Sequence, residues 1–304
     1  MSIKKSHRVL FFADSHSYWG WNESQNQYRK VLSAGAVISK LKPPFMRDYW
    51  LSVKGAQAVD KDGLGELIKA KGGKNTLSYQ STEEALDIFL KTKMDNGIFF
   101  SEREKIADQW LLKNGFANYR GTRFHDQYEA MEREQGYGID PWTGEKVPHV
   151  NKVMDWDNCD NHSIVSDLSE LEPGYYTELL VFLLDEDGNV ILTGQADRVW
   201  ITQCGDYKYF KIGDHKTTEK KPGKSDMNKL IPPFNHLYAS KHQTYCIQIR
   251  LYAYMLEQFG LIAENLSYTW YKDYVRESEC LIEVPYGEEE KDEIRRMVQF
   301  YLNN

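Results

Sequence analysis

The sequence of 304 residues has only four cysteines, and their spacing excludes the common cysteine-built sites. No two of them form a C-x-x-C pair, so neither a zinc ribbon nor a clustered iron–sulfur motif is present. We expect free thiols in a reducing compartment. The four residues are Cys159, Cys204, Cys246 and Cys280.

The sequence also lacks a long apolar run. A membrane-spanning helix needs about 20 mostly apolar residues, and no stretch approaches that length. The opening segment, residues 1–8, has no signal-peptide core. We therefore expect a cytoplasmic location and no membrane partner.

An excess of positive charge is missing as well. The 38 Lys and Arg residues face 45 Asp and Glu residues, which gives a net charge of −7 at pH 7. The total charge does not indicate a polyanion partner, although nucleic-acid binding needs only a local basic surface. A composition of 41% hydrophobic and 27% charged residues is typical of a globular protein and argues against extensive disorder.

Hydrophobic periodicity and turn residues predict both strands and helices. Short strands are expected within residues 8–40, a linker over 63–75 and a long loop over 135–165. Ser101 and Glu104 have capping-box spacing, which predicts a helix start at Ser101, with a break near Gly115. The remaining strands are predicted over 178–184, 190–200, 207–216, 266–271 and 280–284, and the helices over 47–59, 82–93, 101–134, 241–260 and from about 288.

This order of elements predicts an α/β fold with a mixed β-sheet flanked by helices. The helix over 241–260 is apolar nearly all round, which indicates a buried core helix. We expect residues 1–100 to form an N-terminal helical and hairpin elaboration and residues 101–304 to form the core.

Two acidic residues end neighbouring predicted strands, and a lysine follows the second. Asp197 lies in an otherwise apolar strand, where a carboxylate costs several kcal/mol unless it is paired or binds metal. Asp214 and Lys216 share one strand face, and the His215 carbonyl offers a further oxygen ligand. Each motif alone also fits a backbone-bonded turn residue or a surface ion pair. Together they suit metal-assisted cleavage of a phosphodiester, because two carboxylates can hold a hard divalent cation.

Three further positions accompany this pair. Gln248 and Tyr252 are four residues apart on one helix face, and a Gln in an apolar helix needs hydrogen-bond partners. His125 is a lone helical histidine, a residue that is more often structural than a ligand. Glu178 opens the strand beside Asp197, where it could bind metal, orient His125 or cap the strand.

One motif near the start imitates a different enzyme class. Asp14 and His16 follow an apolar strand, as in the opening of binuclear metallophosphoesterases. The downstream motifs that this chemistry needs (Gly-Asp-x-x-Asp, Gly-Asn-His and Gly-His-x-His) are absent from the sequence. We exclude that class.

The ordered set Gly-Thr-x-x-His, Glu, Gly-x-x-Asp, Asp-x-Lys and Gln-x-x-x-Tyr resembles the PD-(D/E)xK nuclease superfamily, specifically its RecB-like exonuclease branch. Two segments resemble those of its phage members: residues 41–45 followed by Tyr49 and Trp50, and residues 233–237 followed by residues 245–248. If the protein is phage-encoded, the expected location is the host cytoplasm. The likeness covers roughly residues 8–285. It is specific as a set of five motifs and weak for any one of them.

The resemblance implies a restriction-endonuclease-like core and a set of functional roles. It assigns metal ligation to His125, Glu178, Asp197 and Asp214, and a catalytic role to Lys216. Gln248 and Tyr252 match the helix motif of the branch. The implied cofactor is one or two Mg²⁺ or Mn²⁺ ions. No iron–sulfur cluster is expected, because the cysteine cluster of some relatives is absent.

The implied activity is exonucleolytic hydrolysis of DNA from its ends, in replication or recombination. DNA would be the main partner, with a recombination or single-strand-binding protein as a second one. Lysines of the 217–241 loop (Lys220, Lys221, Lys224 and Lys229) could contact the DNA backbone or could simply be solvated. Two alternatives stay open: an endonuclease of the same superfamily, and a non-catalytic DNA-binding protein with a degenerate nuclease fold.

Overall fold

The structure is a computed structural model, and it describes residues 3–5, 8–12, 15–92, 96–150, 167–218, 220–223, 228–272, 274–275 and 279–302. The chain forms two compact units. The larger unit comprises Met1–Pro43 and Gly121–Asn304, and the smaller one comprises Pro44–Arg120.

The larger unit is built on a mixed β-sheet. Its strands are β1 (Ile3–Lys5), β2 (Val9–Phe12), β3 (Ser17–Asn22), β4 (Gln27–Ser33), β7 (Gly174–Leu184), β8 (Val190–Cys204), β9 (Tyr207–Thr218), β10 (Ile262–Lys272) and β11 (Cys280–Glu283), and a separate hairpin pairs β5 (Tyr137–Ile139) with β6 (Lys146–Pro148).

Strand β8 is central to the sheet. It pairs antiparallel with β7 and with β9, and β4 runs parallel to its first half. Strand β10 is parallel to β9, and β11 is antiparallel to β10. Antiparallel and parallel neighbours in one sheet confirm the predicted mixed α/β class.

Helices α1 (Ala34–Lys40), α5 (Lys241–Glu257) and α6 (Glu288–Leu302) belong to the same unit. The Ser240 hydroxyl caps α5 by accepting a hydrogen bond from the Gln243 amide at 3.2 Å. Ile247, Leu251 and Met255 of α5 are fully buried in the core beneath the sheet. The prediction of a buried core helix over 241–260 is therefore confirmed.

The smaller unit is helical. It contains α2 (Arg47–Ala70), α3 (Tyr79–Thr92) and the first part of α4 (Asn96–Gln135). Its core is a cluster of apolar side chains that includes Val53, Leu64, Phe89 and Phe99. Among the residues that the structure describes, no helix is both long enough and apolar enough to cross a bilayer.

Several predicted boundaries were wrong in this region. Residues 63–70 are not a linker but the end of α2, which runs to Ala70. Asp60 has non-helical backbone angles, and its side chain accepts a hydrogen bond from the Gly63 amide at 2.8 Å. This bond caps the next helical turn, so the helix continues beyond Asp60. Ser101 is not a helix start, since α4 begins at Asn96 and already buries Phe99. Gly115 does not interrupt α4.

Two further predictions differ from the structure. The expected loop over 135–165 contains the β5–β6 hairpin, and residues 151–166 lie outside the described part. The predicted boundary at 100/101 does not coincide with the observed units, because β4 joins residues 1–43 to the main sheet through its pairing with β8.

Candidate active site

The two candidate acids lie on adjacent antiparallel strands. The register pairs Arg198 of β8 with Gly213 of β9, so Asp197 and Asp214 are the next opposed pair. Asp214 is only 1% exposed. The Lys216 ammonium lies against its Oδ2, whereas its Oδ1 accepts no hydrogen bond from the described residues. A buried carboxylate oxygen without a hydrogen-bond donor is costly. A cation bound beside this carboxylate would offset that cost.

Lys216 supplies one positive charge at this point. Its ammonium group lies against Oδ2 of Asp214 and 5.0 Å from the centre of the Tyr245 ring. Burial works to lower the pKa of Lys216, but the Asp214 and Asp197 charges outweigh it, so the pKa is raised. Lys216 is therefore a protonated lysine beside the acid pair.

The two acids have opposite electrostatic situations. Burial, followed by the charge of Asp197, raises the pKa of Asp214 to about 7. Burial would also raise the pKa of Asp197, but the charges of His125 and Lys216 hold it well below the usual range. The Asp197 Oδ2 atom also accepts a hydrogen bond from the His215 amide at 2.6 Å. Asp197 is thus the ionised member of the pair.

His125 reaches the site from the last part of α4. Its Nδ1 lies 3.3 Å from Oδ2 of Asp197, although the two residues are 72 positions apart in sequence. Burial acts to lower the pKa of His125, but the Asp197 charge and hydrogen bond raise it to about 9. The structure therefore brings His125 to the acids, as the resemblance implied.

Glu178 is held in the site by an unusual backbone conformation. The pairs on either side of it, Thr177 with Arg198 and Leu179 with Ala196, place it opposite Asp197. Its φ angle is +54°, the left-handed region, which is rare for a non-glycine residue in a strand. Strain of this kind is concentrated at functional sites. The Glu178 carboxylate accepts a hydrogen bond from the Gln195 side chain.

These side chains could hold a metal ion. Ligand atoms of His125, Glu178 and Asp197 all lie within 4.8 Å of one another. One imidazole and two carboxylates, with the donor-poor carboxylate of Asp214 next to them, form an oxygen-rich donor set that suits Mg²⁺ or Mn²⁺. The chemistry of the described residues therefore fits a hard divalent cation.

The helix motif lines the same site from α5. The Gln248 amide donates a hydrogen bond to the Tyr252 hydroxyl at 2.7 Å, which gives this half-buried Gln the partner that it needs. The Tyr252 ring lies directly on Gly194: a Cβ there would be 2.4 Å from its Cε1. Burial, with a further contribution from Asp214, raises the pKa of Tyr252 well above 10. The glycine in Gly-x-x-Asp thus makes room for the tyrosine in Gln-x-x-x-Tyr.

His215 contributes its backbone to the site, and its imidazole points elsewhere. The ring packs among Phe124, Tyr128 and Tyr271, at 4.5 Å between centres for Tyr128. Burial lowers its pKa well below the usual value. The amide bonds Asp197, while the predicted role of the His215 carbonyl as a metal ligand stays a prediction.

Sequence reasoning assigned no role to three residues at the site. The Gln195 side chain donates a hydrogen bond to Glu178, and the Tyr245 ring lies against the Lys216 ammonium. Tyr18 of β3 is buried, and its pKa is raised by burial and by the charges of Glu178 and Asp197. Gln195 was discoverable, because strand alternation places it on the face of Asp197. Tyr18 was not, since nothing in the sequence predicts that β3 approaches β8.

Some predicted contacts have other partners. The Lys229 ammonium donates to the His236 carbonyl at 2.8 Å and lies over the Tyr238 ring, and the Lys221 ammonium lies 3.4 Å from the Cys280 sulfur. Cys204, Cys246 and Cys280 are free thiols, as expected. Asp14, Cys159 and Lys224 lie outside the described residues.

Comparison with known proteins adds little to this picture. No protein-family model matches the chain, and no curated protein is similar to it. Among solved structures, one titled "Crystal structure of SSO0001" shares 16% identity over 43% of this chain, with a TM-score of 0.23. The match spans about half of that protein, 51% of its length.

Proposed function

We propose that this protein is a metal-dependent DNA exonuclease with a PD-(D/E)xK core of the RecB-like exonuclease branch. The observation that carries the proposal is the opposed pair Asp197 and Asp214 with Lys216 at its edge. The two buried acids repel each other, so the pair is unfavourable for the stability of the fold. A buried acid pair beside a protonated lysine therefore favours a functional role, the hydrolysis of an anionic phosphodiester, over a structural one.

His125, Glu178, Asp197 and Asp214 would hold the divalent cation. When bound, a Mg²⁺ or Mn²⁺ ion lowers the pKa of water and offsets negative charge on phosphate oxygens. The protein fixes the geometry of these ligands: the His215 amide and the His125 ring orient Asp197, and the Gln195 amide orients Glu178.

Lys216 has a separate role. Its charge, maintained by Asp214 and Asp197, is placed to orient water or to stabilise the negative charge that develops on the phosphate during attack. The Tyr245 ring, 5.0 Å from the ammonium, limits where the lysine can move. Gln248 and Tyr252 support the wall of the site from α5.

Digestion of end-labelled linear DNA tests the cleavage proposal. The wild-type protein should shorten the label-bearing strand in Mg²⁺ or Mn²⁺ and leave it intact in EDTA. Asp197→Asn should be inactive, because an amide cannot replace the charge that the cation needs. Asp187→Asn, at an exposed turn, is the matched control and should keep full activity. Equal activity of both variants would exclude this site.

Closed circular DNA separates the two nuclease alternatives. An exonuclease leaves a covalently closed circle intact and degrades it after linearisation, whereas an endonuclease cuts both forms. If neither form is cut under any metal condition while DNA still binds, the chain is the non-catalytic DNA-binding protein of the remaining alternative.

A further inference from the structure

The longest run of exposed residues in the described part of the smaller unit is Leu111–Arg120 of α4. Every residue in it is exposed, although it lies within a 40-residue helix. Four large apolar side chains are among them: Leu111, Leu112, Phe116 and Tyr119 are 61%, 61%, 62% and 61% exposed. Large apolar side chains that stay exposed to water along about three helical turns indicate a surface that binds a partner or a ligand.

The charges of this stretch are of one sign. No Asp or Glu occurs between Asp108 and Asp126, while Lys113, Arg120 and Arg123 all lie in that interval. The chain as a whole carries a net charge of −7, so an acid-free run of 17 residues departs from its composition. The charge complementarity favours an anionic partner.

The cations and the aromatic rings share one face of the helix. Residues 112, 113, 116, 119 and 120 have the i, i+1, i+4, i+7, i+8 spacing of a single helical stripe. Along the stripe, Lys113 and Arg120 therefore flank Phe116 and Tyr119. Leu111 lies about 140° around the helix from Phe116 at 3.6 residues per turn, although it is equally exposed.

We propose that this stripe (Leu112, Lys113, Phe116, Tyr119 and Arg120) binds single-stranded nucleic acid. Exposed rings stack on unpaired bases, and the cations on either side of them contact the neighbouring phosphates. In a duplex the faces of the bases are stacked on one another, so a duplex would contact only the cations of the stripe and not its rings. A protein partner fits less well, because lysine is depleted at protein interfaces and Lys113 lies within the stripe.

This inference does not rest on the proposed cleavage activity, and its test is made in EDTA, where that activity is absent. Binding of a fluorescent 12-nucleotide oligothymidylate is followed by anisotropy. The wild-type protein should bind it more tightly than a 12-base-pair duplex. The double variant Phe116→Ala, Tyr119→Ala should bind at least about tenfold more weakly, given the usual contribution of stacking.

Two controls define the face. Leu111→Ala removes an equally exposed apolar side chain from another side of the same helix and should bind like the wild type. Lys113→Gln with Arg120→Gln should lower the slope of log affinity against log salt by about 1.4, as expected for two phosphate contacts to a single strand. Alanine favours helix, so the aromatic variants should fold, and circular dichroism checks this.

The proposal is overturned if the double aromatic variant binds the oligonucleotide like the wild type, or if Leu111→Ala weakens binding as much. Equal wild-type affinity for duplex and single strand also overturns it. A change of sedimentation coefficient in the aromatic variant, with oligonucleotide binding unchanged, would assign the stripe to contact with a second copy of the chain. Asp187→Asn, at an exposed turn, should bind like the wild type in this assay, and the use of EDTA keeps the binding result separate from the cleavage result.

Discussion

At the scale of the residue, Gly194 and Tyr252 show how tightly the site is packed. A Cβ at position 194 would lie 2.4 Å from Cε1 of Tyr252, closer than such atoms approach, and 3.0 Å from Cδ1. The ring must therefore move if any other residue replaces the glycine. Because the Tyr252 hydroxyl accepts the Gln248 hydrogen bond, that movement would disturb both members of the helix motif.

We predict that Gly194→Ala lowers the free energy of unfolding by about 1–3 kcal/mol, the usual cost of overpacking, and reduces DNA cleavage. Urea denaturation and the digestion assay measure the two effects. Gly65→Ala is the control, since nothing lies within 4 Å of a Cβ added at that helical position, and it should be neutral or stabilising. If the free energy of unfolding of Gly194→Ala equals that of the wild type, the Tyr252 ring has room to move away from position 194, and the site is less tightly packed than we infer.

Lys216 should contribute to turnover more than to DNA binding. One phosphate contact among many adds little affinity, whereas a charge placed at the reacting phosphate acts on the transition state. We predict that Lys216→Ala loses turnover in Mg²⁺ about 100-fold or more, the usual loss for such a group, while binding in Ca²⁺ changes little. Lys220→Ala, in the exposed loop, should change neither quantity. Equal losses of binding and turnover in Lys216→Ala would make this lysine a backbone contact only.

At the scale of the element, a buried ion pair joins the β5–β6 hairpin to the main sheet. The Lys211 ammonium of β9 lies 2.7 Å from Oδ2 of Asp140, and both residues are buried. Asp140 Oδ1 also accepts from the Trp142 amide at 2.9 Å. Burial works to raise the pKa of Asp140, but Lys211 and these amide bonds lower it. The carboxylate thus stabilises the fold in its ionised form.

We predict that Asp140→Asn destabilises the protein by about 3 kcal/mol at pH 7, because it leaves Lys211 buried without its main partner. A carboxyl group whose pKa is lowered on folding stabilises above its unfolded value of 3.8 and loses that effect as the pH falls through the folded value. The difference from the wild type should therefore shrink below pH 4. Urea denaturation from pH 3 to 8 measures it.

The exposed Asp187→Asn variant is the control for this series. Its unfolding free energy should follow that of the wild type across the whole pH range. A constant difference between Asp140→Asn and the wild type from pH 3 to 8 would show that the ionised form of Asp140 is not what holds the hairpin.

The elements differ in how far the sequence predicts them. The hairpin of β7 and β8, strand β9 and helix α5 were predicted within a few residues, because alternation or all-round apolarity fixes each of them. The start of α4 was missed, since the capping box at Ser101 is weaker than the burial of Phe99 in a tertiary core. Helix α1 was missed because it has only 7 residues, too few to show a periodic pattern.

The candidate site shows the same contrast. Asp197, Asp214 and Lys216 follow from strand parity, which is local. The approach of His125 to Asp197 came from the family resemblance, because no local pattern relates α4 to β8. The left-handed conformation of Glu178 could not be predicted, since glutamate rarely adopts it and only the surrounding pairs of β7 and β8 impose it.

At the scale of the whole molecule, the acid cluster draws on several parts of one unit. Residues from α4, β7, β8, β9 and α5 converge there, so an ion bound to them would link segments that are distant in sequence. A ligand that binds only the folded state raises stability by RT ln(1 + [L]/Kd). Metal should therefore stabilise the protein as a whole.

We predict that Mn²⁺ at 100 times its dissociation constant raises the free energy of unfolding by about 2.7 kcal/mol, and that EDTA removes the effect. Thermal unfolding with and without metal measures it. Asp197→Asn should show little or no increase, whereas Asp187→Asn should show the full one. An equal increase in both variants would place the metal at some other site.

The central claim is that His125, Glu178, Asp197 and Asp214 together bind a divalent cation. The anomalous difference map of a crystal soaked in Mn²⁺ tests it most directly. The account predicts a peak within about 2.0–2.6 Å of ligand atoms from at least three of these residues, and no such peak in Asp197→Asn. A fully occupied manganese site elsewhere, with no peak at this cluster, would contradict it.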